Sequence, residues 1–159
     1  MTFTAALTYL DSKFDSFAGG SALQASGICP STGQVRNFEV CPTDLSGQVP
    51  AGIPEYAVTV GGTYSVPIGE NELVFHTDYQ LESATQVAQG VPGIRRAVEA
   101  LNASISFQMA NGISVTAWGR NLTDATYTTT IFPSVAQSGS LSGYRNQPKT
   151  YGGSIKFKF

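Results

Sequence analysis

Apolar and polar residues alternate along much of this chain with a period of two, the spacing at which successive side chains of a strand face opposite ways. From Ala97, the residues Ala97, Glu99, Leu101, Ala103, Ile105, Phe107 and Met109 share one face, and Asn102, Ser104, Ser106 and Gln108 share the other. The stretch Tyr56 to Ile68 sets Tyr56, Val58, Val60, Tyr64, Val66 and Ile68 against Thr59, Thr63 and Ser65. Leu73, Phe75, Tyr79 and Leu81 likewise oppose His76, Asp78, Gln80 and Glu82. Three more runs follow the rule, from Thr2, from Gly112 and from Tyr151 to Phe159. The pattern predicts six strands and no helix.

The connections alternate too. Gly69-Glu70-Asn71 and Ala110-Asn111-Gly112 read as tight hairpin turns, the second carrying Asn-Gly. The segments from about Ala18 to Gly52, Ala88 to Arg95 and Phe132 to Gly143 read as long loops, too polar and irregular for strand. Short turns at one end of the strands and long loops at the other is the plan of an outer-membrane β-barrel, with the short turns periplasmic.

Composition narrows the class. Charged residues make up 13% of the chain, half the usual share, and glycine is abundant at 17 of 159 residues. No stretch reaches the roughly 18 consecutive apolar residues of a membrane helix, so any membrane crossing must use strands. A net charge of −2, with no run of Lys and Arg, argues against a nucleic-acid partner. Met1-Thr2-Phe3-Thr4 carries no basic segment of the secretory type. Six strands fall short of the eight with which bacterial single-chain barrels begin. The expectation is therefore a C-terminal piece of a longer chain, with residues 1–159 supplying the last six or so up-and-down antiparallel strands of a large transmembrane barrel.

Two motifs carry a resemblance. Trp118-Gly119-Arg120-Asn121-Leu122-Thr123-Asp124-Ala125-Thr126-Tyr127 is similar to the Asn-Leu-Thr-Asp-x-x-Tyr stretch late in TonB-dependent receptors, and Gln147-Pro148-Lys149-Thr150-Tyr151-Gly152 resembles that family's closing Pro-Arg-Thr-Tyr-Gly, with Lys149 in place of Arg. Pro54-Glu55-Tyr56 before a strand also fits. The motif residues are thus Asn121, Leu122, Thr123, Asp124, Tyr127, Pro148 and Tyr151. Asn121 and Asp124 have a plain structural reading, because both types favour turns by bonding their own backbone. The ending resembles the assembly signal of outer-membrane proteins through Thr150, Gly152, Ile155, Phe157 and Phe159. The barrel-assembly machinery would capture that unpaired terminal edge by strand addition. Lysines on the polar side, Lys156 and Lys158, would also suit the edge of a soluble sheet.

The resemblance implies a bacterial outer-membrane active transporter, a 22-stranded barrel filled by an N-terminal plug. It would import a ferric siderophore or another scarce large solute. Outer-membrane lipid and lipopolysaccharide would surround it. Coupling to the TonB complex would run through a plug that these residues do not include. The alternatives are a passive porin-type barrel and a soluble all-β binding module. An enzyme is not expected, since no nucleophile, base and orienting group recur at a motif spacing, and neither a cofactor nor a metal site is indicated.

Smaller features complete the reading. Cys29 and Cys41 lie in one Pro/Gly/Ser-rich segment, where they either close a short disulfide loop or remain free thiols. Asn102-Ala103-Ser104 and Asn121-Leu122-Thr123 match the N-glycosylation pattern, which carries little weight at this length. The single histidine, His76, reads as a solvated polar-face residue beside Asp78. Arg95 and Arg96 read as a solvated pair or as a contact for lipopolysaccharide phosphates or an anionic ligand. Trp118 and Arg120 point to the polar face unless a bulge near Gly119 reverses them. The loops from Ala18 to Gly52 and from Phe132 to Tyr144 either line an external vestibule or merely shield the barrel mouth.

Overall fold

A computed structural model of the chain describes residues 1–24, 29, 33, 39–137 and 139–158. Its described residues form ten strands and no helix: β1 Thr2–Tyr9, β2 Gly20–Gln24, β3 Glu39–Thr43, β4 Tyr56–Ile68, β5 Asn71–Gln86, β6 Arg95–Gln108, β7 Ile113–Arg120, β8 Thr128–Pro133, β9 Leu141–Arg145 and β10 Thr150–Phe157. Six of them make one sheet in the order β1-β4-β5-β6-β7-β10, every pair antiparallel. These are the six strands that the alternation predicts. The fold is all-β, and among the described residues the sheet is open, with β1 and β10 at its two ends.

β2 and β3 lie within the segment Ala18 to Gly52 expected to be loop, and β8 and β9 overlap the two ends of the segment Phe132 to Gly143, which corrects those expectations. β2 and β3 pair as a two-stranded sheet between β1 and β4, and β8 and β9 pair between β7 and β10. All four are short, at five or six residues each.

The hairpin turns follow from their glycines. Ile68 pairs with Asn71 across Gly69-Glu70, and Gly69 has a φ of 61° with Glu70 outside the left-handed region, the pattern of a type II′ turn. Between β6 and β7 the Gly112 N–H donates to Met109 O at 3.1 Å, and Gly112 has a φ of 85°. A left-handed residue after a tight turn matches the right-handed twist of its strands, and only glycine holds it without strain.

The register sorts every side chain of the sheet. One continuous row runs Phe3, Gly62, Thr77, Ala103, Gly119, Tyr151 through all six strands. Two residues along, Tyr64, Phe75, Ile105, Ala117 and Gly153 form the next row on that face, followed by Val66, Leu73, Phe107, Val115 and Ile155. The opposite face carries Thr2, Thr63, His76, Ser104, Trp118 and Gly152 in one row. One face is thus mostly apolar from edge to edge, with Thr77 in its middle and Glu99 near its loop-side end, and the other is mostly polar.

Neither face is covered. Phe3 is 64% exposed, Leu7 73%, Tyr151 82% and Ile155 63%. The row of small residues leaves shallow apolar grooves, one of about 400 Å³ against Phe3, Val60 and Tyr79 and another of about 530 Å³ against Phe75, Ile105 and Leu122. The buried apolar residues instead lie on the loop side of the sheet: Ala22, Leu23, Cys29, Cys41, Leu45, Val91 and Val98. Each large side chain left in water forgoes about 1.5–3 kcal/mol of burial. In water alone this sheet would lack most of the driving force that folds a β-protein.

Candidate functional site: the polar face and its loop-side cap

The Asn-Leu-Thr-Asp motif leaves the end of β7 and builds a hydrogen-bonded joint. Asn121 and Asp124 have φ values of 50° and 57°, the left-handed region that Asn and Asp tolerate best after glycine. Asn121 is buried and fully used. Its backbone N–H donates to Asn102 Oδ1 at 2.9 Å, and its Nδ2 donates to Ala125 O at 2.9 Å and Gln147 O at 3.0 Å. Its Oδ1 accepts from the Ala125 N–H at 3.0 Å and the Thr123 hydroxyl at 3.2 Å. One side chain thereby ties the end of β7 to the segment that enters β10.

The other motif residues serve the same joint. Thr123 also donates to Glu99 O at 2.6 Å, and the Leu122 N–H donates to Leu101 O at 2.7 Å, so the turn folds back on β6. The Leu122 side chain lies over Gly119, where a Cβ would come within 2.6 Å of it. Asp124 meets Lys149 at 4.0 Å, between two exposed side chains where such a pair contributes little. The Tyr127 N–H donates to Asn146 Oδ1 at 2.8 Å, and the Asn146 N–H returns to Tyr127 O at 3.0 Å. Pro148 stands in the short link from this joint to β10. Asn146 and Asn102 complete the joint, and nothing in the local sequence marks either as a partner of Asn121.

The terminal-strand residues divide between the faces. Tyr151, Ile155 and Phe157 project on the apolar face, and Thr150 and Gly152 on the polar one. Phe159 lies outside the described residues. Pairing with β7 runs unbroken from Thr150↔Arg120 to Phe157↔Ile113. No bulge interrupts β7 at Gly119, so Trp118 and Arg120 share the polar face.

On that face the polar side chains interlock. His76 Nδ1 and the Thr63 hydroxyl share a hydrogen bond of 2.9 Å, and His76 Nε2 lies 3.8 Å from Asp78 Oδ1. Asn102 Nδ2 donates to Asp78 Oδ2 at 2.6 Å, so Asn102 bridges the carboxylate and Asn121. The Arg120 guanidinium sits 5.3 Å from the centre of the Trp118 ring, close enough for a cation–π contact. His76, Asp78, Asn102, Ser104, Trp118 and Arg120 border a hollow of about 260 Å³. His76 is half-exposed beside Asp78, as a solvated polar-face residue, and its Nδ1 is hydrogen-bonded to Thr63.

The cap covers the loop-side end of the sheet. Cys29 and Cys41 are joined by a disulfide with their Cα atoms 5.9 Å apart, and both are buried. The Leu23 N–H donates to Gln89 O at 2.8 Å, and Gly90 passes directly against the Leu23 carbonyl, which docks β2 onto the β5–β6 loop. At the cap's turn, hydrogen bonds from Ser46, its hydroxyl first and its backbone N–H second, hold the Asp44 carboxyl below the ordinary aspartate range. A cleft of about 350 Å³ opens between cap and sheet, lined by Asp11, Val49, Pro50, Glu55, Gln86 and Arg95 among others.

Arg95 is exposed, as a solvated residue would be, whereas Arg96 is partly buried against Glu82. Arg95 Nη2 donates to Ala84 O at 2.7 Å, and Arg96 Nη2 meets Glu82 Oε2 at 3.4 Å. A bulge between Glu82 and Thr85 makes both contacts possible by shifting β5 against β6. Among the described residues no three His, Cys, Asp or Glu side chains gather as a metal site would require. The arrangement offers polar surface, anchoring and a cleft. No family model, no curated protein and no solved structure matches this chain.

Proposed function

We propose that these strands form part of the wall of a bacterial outer-membrane β-barrel, and that the whole protein is an active transporter of the TonB-dependent type. The mostly apolar face, continuous across six strands and uncovered, carries this reading. A lipid bilayer is the surrounding that such a face fits, since closed barrels are the one way for strands to cross it.

The stagger of the strands supports it. The row that reaches Tyr151, at the loop-side end of β10, passes through Phe3 on β1, whereas the loop-side end of β1 lies at Tyr9, six residues further along. With those two ends at one level, a rise of about 3.3 Å per residue and a strand spacing of about 4.8 Å tilt the strands by roughly 40°, within the range of barrels. At that tilt, β4 from Tyr56 to Ile68 climbs about 30 Å, the thickness of a hydrocarbon core. Tyr9, Tyr56 and Tyr151 stand at the loop-side ends, with Phe107 and Phe157 toward the turns, as aromatic girdles would require. Further strands would pair the open edges of β1 and β10. The polar face would then line the lumen, and the cap would stand at the external mouth, where a ferric siderophore or another scarce large solute would be captured.

The test is fractionation of the whole gene product in a Gram-negative host. The expected result is a carbonate-resistant outer-membrane protein whose gel mobility shifts on heating, with solute uptake abolished by a protonophore. A product in the soluble fraction would overturn the barrel. Outer-membrane uptake indifferent to the protonophore would replace the active transporter with a passive porin.

A further inference from the structure

We propose that Trp118 and Gly152 form a clasp that fixes the register of β10 against β7. The two residues are direct partners across the strand pair. The indole lies flat over the glycine: a Cβ built on Gly152 would stand 2.7 Å from Trp118 Cζ2 and 3.1 Å from Cε2, closer than a real Cβ comes. Arg120 stacks on the same ring at 5.3 Å. The tryptophan thus covers a strand position that has no side chain of its own, an aromatic side chain rescuing a glycine.

Beyond the contacts at its two ends, Asn121 to Gln147 O and Lys158 N–H to Gly112 O, little along the body of β10 specifies its register. β10 is short, at eight residues, and lies at the end of the sheet. Its large side chains on the apolar face, Tyr151, Ile155 and Phe157, are all more than half exposed. A slip of one residue would move those side chains to the polar face and is excluded by the alternation. A slip of two keeps every face correct, so the apolar pattern cannot forbid it. It would, however, bring Thr150 or Ser154 opposite Trp118, and the side chain of either would occupy the space that the ring fills. Gly152 is the one position of β10 on the polar face that accepts the flat indole, since Thr150, Ser154 and Lys156 all carry a Cβ. The glycine of the terminal motif is therefore required by this chain's own Trp118, whatever machinery also reads it.

Cysteine pairs in the full chain report the register directly. Thr116 and Ser154 are partners on the polar face, so Thr116→Cys with Ser154→Cys reports the native register, and Thr116→Cys with Lys156→Cys reports a slip of two. Disulfides are mapped by mass spectrometry, which separates them from Cys29–Cys41. Gly152→Val is expected to lower the native cross-link by roughly five-fold or more, and Gly152→Ala by less, with the slip product rising in each. Adding Trp118→Ala to either variant is expected to restore the native cross-link to the level of Trp118→Ala alone. If the Gly152 variants lose as much cross-link without the indole as with it, or if the double variants fail to fold, the clasp is wrong and the glycine serves another purpose. The cross-link reads one strand pair wherever the chain resides, so its outcome is independent of the membrane reading.

Discussion

Leu7 and Leu23 are both leucines on β-strands, yet Leu7 is 73% exposed and Leu23 only 8%. Leu7 belongs to the long, regular, well-paired sheet, and Leu23 to a five-residue strand in an irregular segment. In a β-protein folded in water the allocation would be reversed, with the regular sheet around the core and the loops outside it. Here the cap has the core, and the sheet presents its apolar face outward. The two regions differ in what covers them: the cap buries its own apolar side chains, whereas the apolar face of the sheet is left exposed. Regularity of strand pairing and burial of apolar surface, which usually travel together, are separated in this chain.

The largest expected effect tests that separation directly. Val60 and Thr59 are consecutive residues near the middle of β4, one on each face. Val60→Arg places a charge where lipid is expected and should cost about 2–4 kcal/mol at the bilayer midplane. Thr59→Arg on the polar face should stay within about 0.5 kcal/mol. Urea unfolding of the full gene product in lipid vesicles measures both. Equal effects at the two positions would end the comparison, because the faces would then be equivalent.

The second prediction probes the cap. The disulfide joins residues 12 apart, and closing a loop of about that length is worth roughly 3 kcal/mol in the chain-entropy account. Replacing Cys29 and Cys41 with serine should therefore open the cap by about that amount, seen as faster hydrogen exchange at the Leu23 N–H, which bonds to Gln89 O. Amides in the middle of β5 and β6 should keep their protection. If their exchange quickened equally, cap and sheet would be one cooperative unit, and the contrast between Leu7 and Leu23 would lose its meaning.

How far each region could be read from the residues follows the same division. The six strands of the sheet are legible because their two faces carry different residue types, so alternation is written into the sequence; Tyr56–Ile68 is read to the residue. The strands β2, β3, β8 and β9 are not. In β2 the neighbours Ala22 and Leu23 are both buried, β3 carries Pro42, and β8 opens on three threonines, so none of them shows a period. Their pairing comes from local packing, the Cys29–Cys41 link and the fold of the loops. The motif around Asn121 is visible in the sequence as a turn. Its partners Asn102 and Gln147, 19 and 26 residues away, become visible only when β6, β7 and β10 are side by side. The pairing of Arg96 with Glu82 is not legible, because the bulge at Glu82/Thr85 that brings them together leaves no mark in the alternation.

The smallest of the three effects falls on the joint where β7 turns toward β10. Asn121→Ala removes two donated and two accepted side-chain hydrogen bonds, leaving the Ala125 N–H without its acceptor and the Gln147 carbonyl without this donor. Alanine must also adopt a φ of 50°, which asparagine tolerates better. Asn146 still donates to both the Ala125 and Gln147 carbonyls, which moderates the loss. The expected cost is about 2 kcal/mol, from one unsatisfied buried group and one strained residue. It should appear as faster exchange of the Ala125 and Leu122 N–H groups, with the Leu23 N–H unchanged. Asn121→Gly relieves the backbone strain but not the lost bonds, so it should recover about half of the deficit. Full recovery by glycine would mean that the conformation alone matters. No recovery would place the whole effect in the hydrogen bonds that tie β7 to the entry of β10. Either extreme would show which property of asparagine holds the turn after β7 to β6 and to the entry of β10.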